Sequence, residues 1–191
     1  MSGLPGRARV QGSTSLRNRA RDVLTIPLVA AAAVAVDQVT KHLVRTNLSQ
    51  GQSQTLAPWL EPILRVTFVT NSGAAFGLFP NGSQVFIIIA VIVILALLWY
   101  YLRLSDGQWL VQVALGLQLG GAVGNLVDRL RFEGHVIDFI DLNFWPLHRW
   151  PVFNVADSSI VVGVSLLTLL MIWEEYREGR STNRLMTASD E

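Results

Sequence analysis

Four long apolar segments separated by polar connections set the pattern of this chain. They cover Val23–Val36, whose pattern continues to Val44, and Val85–Leu102, Trp109–Val127 and Ser158–Trp173. A transmembrane helix needs about 20 mostly apolar residues, and the second segment runs for 18 residues without a charge. The pattern therefore predicts an all-α membrane bundle of four transmembrane helices.

Polar segments flank this bundle at both ends. Residues 1–21 are rich in arginine and are predicted to form a disordered, basic cytoplasmic arm. Residues 22–176 form the predicted transmembrane domain, and residues 177–191 a polar, mobile cytoplasmic tail. The first apolar segment with Ala33-Val34-Ala35 also resembles a cleavable signal peptide. Its helical apolar pattern continues to Val44, which favours a retained first helix.

The distribution of lysine and arginine predicts the orientation of the bundle. With four spans both termini share a side, and that side carries nine of these residues against six on the other. Because positive charge favours the cytoplasmic side, both termini are expected in the cytoplasm. The connections around 47–84 and 130–157 then face outward. In the first of them, apolar and polar residues alternate over Leu64–Phe68, as in a half-buried strand.

Composition narrows the possible chemistry. The 191 residues are 51% hydrophobic and 15% charged, with a mean hydropathy of +0.40, whereas soluble domains carry roughly 25% charge. The net charge of +1 gives no reason to expect a nucleic-acid partner. Without cysteine the chain has no disulfide, thiolate nucleophile or cysteine-ligated metal. Carboxylate chemistry is therefore expected, with no metal and no cofactor.

Four aspartates near the ends of the apolar segments are the candidate chemical groups, namely Asp128, Asp138, Asp141 and Asp157. Acids near a membrane core are functional candidates because they are costly to place there. Asp138 has hydrophobic neighbours on both sides, and its burial would raise its pKa as an acid catalyst requires. Asp141 could be a second acid, but it is interpreted as a solvated loop residue.

Structural roles are alternatives for the same acids. Asp157 precedes an apolar helix and could be its N-cap. Asp128 could form a local ion pair with Arg129 or Arg131, and Asp37 with Lys41 four residues later. Asn125 and Asp128 are three apart and share a helix face. A glycine stripe on the same segment predicts close helix packing; it consists of Gly116, Gly120, Gly121 and Gly124.

Two carboxylates that share a proton can hydrolyse a peptide bond. Pairs of carboxylates also bind cations, so a protease and an ion- or proton-handling membrane protein both fit the acids. A non-catalytic assembly subunit with a glycine-faced helix is a third possibility. The position of Asp128 and Asp157 at segment ends favours chemistry at the membrane surface.

Five short motifs occur in a recognisable order. They are Asp37 with Lys41, Asn71-Ser72-Gly73-Ala74-Ala75-Phe76, Gly124-Asn125-Leu126-Val127-Asp128-Arg129, Val136-Ile137-Asp138-Phe139 and Phe153-Asn154-Val155-Ala156-Asp157. In this order they resemble the boxes of bacterial lipoprotein signal peptidase (signal peptidase II), over roughly residues 24–175. The resemblance implies a four-helix inner-membrane aspartyl endopeptidase with a small β-like extracytoplasmic cradle. Such an enzyme removes the signal peptide of prolipoproteins before a diacylglyceryl-modified cysteine.

The resemblance also implies roles for individual residues. The catalytic dyad of the family falls on Asp138 and Asp157. The residues implied to shape the site or contact substrate are Asn71, Gly73, Asn125, Asp128, Arg129, Asn154, Asp37 and Lys41. The expected partners are diacylglyceryl-prolipoproteins and membrane lipids, and the enzyme is expected to act as a monomer.

Overall fold

Four long helices and a three-stranded sheet make up the computed structural model, which describes residues 8–72, 83–104 and 107–189. The helices are α1 (Ala8–Asn47), α2 (Ser83–Tyr101), α3 (Trp109–Arg131) and α4 (Val155–Ser189). The strands are β1 (Ser53–Gln54), β2 (Leu64–Asn71) and β3 (Val136–Leu142). Short 3₁₀ helices lie at Pro58–Leu60 and Leu147–Arg149.

Each helix contains a stretch long and apolar enough to cross a membrane, which confirms the four predicted spans. The stretches are Leu24–Asn47, Ser83–Tyr101, Trp109–Arg131 and Val155–Glu178. The outer two helices are longer than predicted. Helix α1 begins at Ala8, inside the arm that was expected to be disordered. Helix α4 ends at Ser189, inside the predicted mobile tail. Both extensions are free of proline, the residue that disfavours helix most strongly.

Helix α3 is the centre of the bundle and packs on α1, α2 and α4. Its glycines allow the close approach, as the glycine stripe predicted. A Cβ atom on Gly120 would lie 2.6 Å from the Cβ of Ala33 on α1, and one on Gly121 would meet the carbonyl of Ala156 on α4. The same helix buries Asn125 and Asp128 towards its neighbours, so the shared face of these two residues is confirmed.

The sheet has the order β1-β2-β3 with antiparallel pairing throughout. The strand predicted over Leu64–Phe68 is present and extends to Asn71. Strand β3 pairs along β2 with a register shift between Val66 and Val69. An apolar cluster fixes the sheet to the end of α1 and comprises Val44, Leu48, Phe68, Ile137 and Phe139. The sheet therefore has a set position at one end of the bundle.

Asp141 is not the solvated loop residue that was expected. It lies in β3 opposite Arg65 of β2. Its carboxylate accepts a hydrogen bond of 2.7 Å from the Thr67 hydroxyl and lies 3.3 Å from the Arg65 guanidinium. The pairing of two strands distant in sequence creates these contacts, so Asp141 has a structural role within the sheet.

Candidate active site

Two aspartates from different elements lie near one another at the same end of the bundle. Asp138 is in β3 and is only 2% exposed. Asp157 is in the first turn of α4 and is half-buried. The antiparallel partner of Asp138 is Val69, so pairing with β2 fixes its backbone. Each carboxylate is held by a rigid element rather than by a loop.

Two asparagine side chains connect these carboxylates. Nδ2 of Asn154 donates to Oδ1 of Asp138 at 2.6 Å and to Oδ1 of Asn125 at 3.1 Å. Nδ2 of Asn125 donates to Oδ1 of Asp157 at 2.7 Å. A continuous chain of hydrogen bonds therefore runs from one carboxylate to the other. Because both asparagines are buried, the low polarity of their surroundings strengthens these bonds.

The N-cap of α4 is Asn154, not Asp157. Oδ1 of Asn154 accepts from the backbone N–H of Asp157 at 2.9 Å. In return, Oδ2 of Asp157 accepts from the backbone N–H of Asn154 at 3.2 Å. This reciprocal pattern is a capping box, with the acid in the third helical position. The cap uses one carboxylate oxygen of Asp157, and the other oxygen faces Asn125.

Burial raises the pKa of Asp138 to about 7. The charge of Asp157 acts in the same direction, whereas hydrogen bonds from Asn71 and Asn154 favour the ionised form and lower the pKa. The Asn71 amide donates to Oδ2 of Asp138 at 3.0 Å. Near neutral pH the Asp138 carboxyl can therefore keep a proton, as its apolar neighbours in the sequence predicted.

A buried cluster of charges lies beside the site. Nζ of Lys41 is 2.9 Å from Oδ2 of Asp37, 2.8 Å from Oδ2 of Asp128 and 3.0 Å from Oδ1 of Asn125. The ammonium group has three N–H donors, and each has an acceptor. Lys41 is 2% exposed, and both aspartates are fully buried.

These contacts change two of the structural interpretations. The ion pair between Asp37 and Lys41 is present, but it is part of the larger buried cluster. Asp128 pairs with Lys41 of α1 instead of a neighbouring arginine, because its position on α3 turns its side chain into the bundle. Gln38, which sequence reasoning missed, also donates to Asp128 at 2.9 Å.

The cluster also holds the backbone next to each candidate acid. Oδ2 of Asp128 accepts from the N–H of Ile137 at 3.1 Å, and Ile137 precedes Asp138. Oδ1 of Asp37 accepts from the N–H of Ala156 at 2.9 Å, and Ala156 precedes the second acid. The sequence contains no local signal for these bonds. They show how α1 and α3 fix the positions of β3 and α4.

Arg129 lies close to the same site. Its Nη1 donates to the backbone carbonyl of Asn125 at 3.3 Å, and its guanidinium lies 5.6 Å from the ring centre of Phe86. It borders a cavity of about 620 Å³, which Ser72 and His135 also line. The predicted site residue Gly73 lies outside the described residues. All other predicted site residues lie in this connected region.

Comparison with known proteins identifies the family. A family model described as signal peptidase (SPase) II matches residues 29–173. The lipoprotein signal peptidase of Moorella thermoacetica is 42% identical over 153 residues, which is 80% of this chain and 96% of the relative. The lipoprotein signal peptidase of Geobacter metallireducens is 42% identical over 156 residues, which is 80% of this chain and 93% of the relative.

The fold also matches that of a solved structure. That structure is described as a bacterial membrane enzyme determined at 2.3 Å resolution by the in meso method. It has a TM-score of 0.71 and 35% identity, and the match covers 79% of this chain and 89% of that chain. The family match at residues 29–173 includes parts of all four helices and the whole sheet. The chain belongs to the signal peptidase II family, whose members are aspartic proteases.

Proposed function

We propose that this chain is an intramembrane endopeptidase that removes the signal peptide from diacylglyceryl-modified prolipoproteins, cutting before the lipidated cysteine. The observation that carries the proposal is the pair Asp138 and Asp157, joined through two buried asparagines at one end of a membrane bundle. Both aspartates come from one chain, which supports action as a monomer. Family membership supports the choice of substrate.

The two carboxylates differ in the way that an aspartic protease requires. Asp138 is buried, with a pKa raised to about 7, so it supplies the proton that polarises the scissile carbonyl. Asp157 is half-buried and accepts two N–H groups, which suits a carboxylate that takes a proton from water. The hydroxyl then bonds to the carbonyl carbon, which gives a tetrahedral intermediate with two hydroxyl groups. As the C–N bond breaks, the proton taken up by Asp157 passes to the leaving nitrogen, and one hydroxyl of the intermediate returns a proton to Asp138.

The neighbouring residues have supporting roles in this proposal. Asn71 binds the acid Asp138 from the sheet, and Asn125 and Asn154 orient both carboxylates. Arg129, next to the cavity, offers a positive charge to substrate carbonyl groups. Lys41 and its two aspartate partners hold the surrounding backbone and do not contact the substrate.

The requirement for a lipidated substrate is the first prediction. Purified full-length protein should cleave a precursor peptide that carries the diacylglyceryl group, with the cut just before the modified cysteine. The same peptide without the group should be cleaved about 100-fold more slowly, because the lipid places the scissile bond at the site and misplacement has large rate costs. Mass spectrometry of the products gives both the cleavage rate and the position of the cleaved bond.

A peptide with alanine in place of the cysteine is the matched control, because it cannot carry the lipid. Equal rates on the modified and unmodified peptides would contradict the proposed substrate class. They would indicate a general signal peptidase instead.

We propose further that the protein lies in the bacterial inner membrane with both termini in the cytoplasm and the site near the outer face. Because the chain lacks cysteine, single cysteines can report the orientation. In intact cells, Ser53→Cys in β1 should react with an impermeant thiol reagent, and Gln108→Cys before α3 should not. Both positions are exposed. Reaction at position 108 without reaction at position 53 would reverse the proposed orientation.

A further inference from the structure

We propose that Lys41 holds the side-chain amide of Asn125 in one orientation, so that Asn125 directs its N–H to Asp157. Lys41 is then a positioning residue that acts on the dyad without touching substrate. The inference rests on the proposed peptidase function and goes further, since it explains why the two carboxylates take different roles.

The orientation of the Asn125 amide follows from its neighbours. An asparagine side chain presents an acceptor oxygen and a donor nitrogen, and the hydrogen-bond network decides which points where. The Lys41 ammonium can only donate, and it lies 3.0 Å from Oδ1 of Asn125. Nδ2 of Asn154 donates to the same oxygen at 3.1 Å. If the amide rotated by 180°, its NH₂ group would face two donors.

The consequence is that the donor side of Asn125 must face Asp157. Nδ2 of Asn125 lies 2.7 Å from Oδ1 of that residue, and an N–H donated to a carboxylate favours its ionised form. The rotated amide would instead bring its oxygen against the carboxylate. The charged groups around this site are Lys41 and Asp37 on α1, Asp128 and Arg129 on α3, and Asp138 on β3.

Asn154 does not depend on Lys41 in this way. Its Oδ1 is fixed by the backbone N–H of Asp157 at 2.9 Å, as part of the helix cap. Its Nδ2 must then face Asp138. The orientation of Asn154 is set by the end of α4, and that of Asn125 by the cation on α1 together with Nδ2 of Asn154.

Lys41 is suited to this role because it cannot move freely. Asp37 and Asp128 accept its two other N–H groups at 2.9 and 2.8 Å, and the side chain is 2% exposed. The ammonium group is therefore fixed relative to α1 and α3 before any substrate arrives.

A matched pair of double variants tests the inference. Lys41→Met with Asp37→Asn removes the donor at position 41, whereas Lys41→Gln with Asp37→Asn keeps a side-chain N–H donor there, on a side chain one bond shorter than that of lysine. Both leave one negative charge in the cluster, as in the natural protein. The measurement is the pH dependence of kcat and kcat/KM for the lipidated precursor, with folding checked by thermal unfolding.

In the methionine variant kcat should fall about tenfold, and the acidic limb of kcat/KM should move to higher pH. KM should stay within about twofold, because Lys41 does not contact substrate. In the glutamine variant the limb should move less than half as far. An equal shift in both variants, or none in either, overturns the inference.

Asn125→Ala provides an independent test. It removes the N–H to Asp157 and should move the acidic limb in the same direction. Added to the double variant Lys41→Met with Asp37→Asn, it should give no further shift, because the effects of residues that act through one contact are not additive. An additive shift contradicts the role of Lys41. If neither double variant folds, Asn125→Ala decides, and an unmoved limb rejects the inference.

This design separates the inference from the proposed function. Natural protein that does not cleave the lipidated precursor would reject the peptidase proposal itself. If the natural protein cleaves the precursor and the variants have the same pH dependence as the natural protein, only the positioning role of Lys41 is rejected.

Discussion

Asp138→Asn and Asp157→Asn are each expected to abolish cleavage of the lipidated precursor, with turnover reduced by about 10²–10⁴-fold or more. An amide keeps the size of the carboxyl group. It can neither take the proton of water nor exchange proton-donating and proton-accepting roles between steps. The measurement is turnover by each variant at matched amounts of folded, membrane-inserted protein.

Loss of activity in Asp157→Asn should not come from loss of the helix cap. The N-cap is Asn154, and an asparagine at position 157 can still accept a hydrogen bond from the backbone N–H of Asn154. Asp141→Asn is the matched control, because this acid contacts Thr67 and Arg65 of β2 and is outside the asparagine chain. It should keep near-natural turnover. Natural turnover in either dyad variant would reject the mechanism.

The dyad also predicts a pH dependence. The pKa of Asp138 is raised to about 7, chiefly by burial. Its protonated form is therefore lost as the pH rises through about 7, and activity should fall on that side. The alkaline limb belongs to the pair rather than to one residue. A rate that stays constant from pH 6 to pH 9 would contradict Asp138 as the proton donor.

The four helices could be predicted because their signal is local. A run of about 20 apolar residues has few stable arrangements other than a membrane helix, and Ser83–Tyr101 shows this most clearly. The strand β3 gave no such signal. Its acids at 138 and 141 are three apart and fall on opposite faces of a strand, so no simple alternation is visible. Pairing with β2 makes it a strand.

The candidate acids could be found from the sequence because carboxylates in an apolar chain are conspicuous. Their surroundings could not, since the contacts join residues far apart in the chain. Lys41 and Asn125 are separated by 84 positions, and Asp37 and Ala156 by 119. The local pair of Asp37 and Lys41 was visible, but its contact with Asp128 depends on how α1 packs against the glycines of α3.

The largest effect on stability is expected from Lys41→Met. The substitution leaves the carboxylates of Asp37 and Asp128 buried at 0% exposure without their cation. Removal of one partner from a buried ion pair typically costs about 3–5 kcal/mol, because the remaining charge is left uncompensated. We expect a large fall in the midpoint of thermal unfolding in detergent, and less folded protein in the membrane.

Arg65→Met is the matched control, since it also removes the cation of an ion pair. Arg65 and its partner Asp141 are 38% and 15% exposed at their side chains, so solvent screens the pair and its loss should cost less than about 1 kcal/mol. Adding Asp37→Asn to Lys41→Met should recover part of the lost stability, because only one buried carboxylate then lacks a cation. Equal unfolding midpoints for Lys41→Met and Arg65→Met would show that the buried cluster does not stabilise the bundle. A large difference, with partial recovery in the double variant, would identify Lys41 as the cation that joins α1 to α3 and holds the backbone beside both acids.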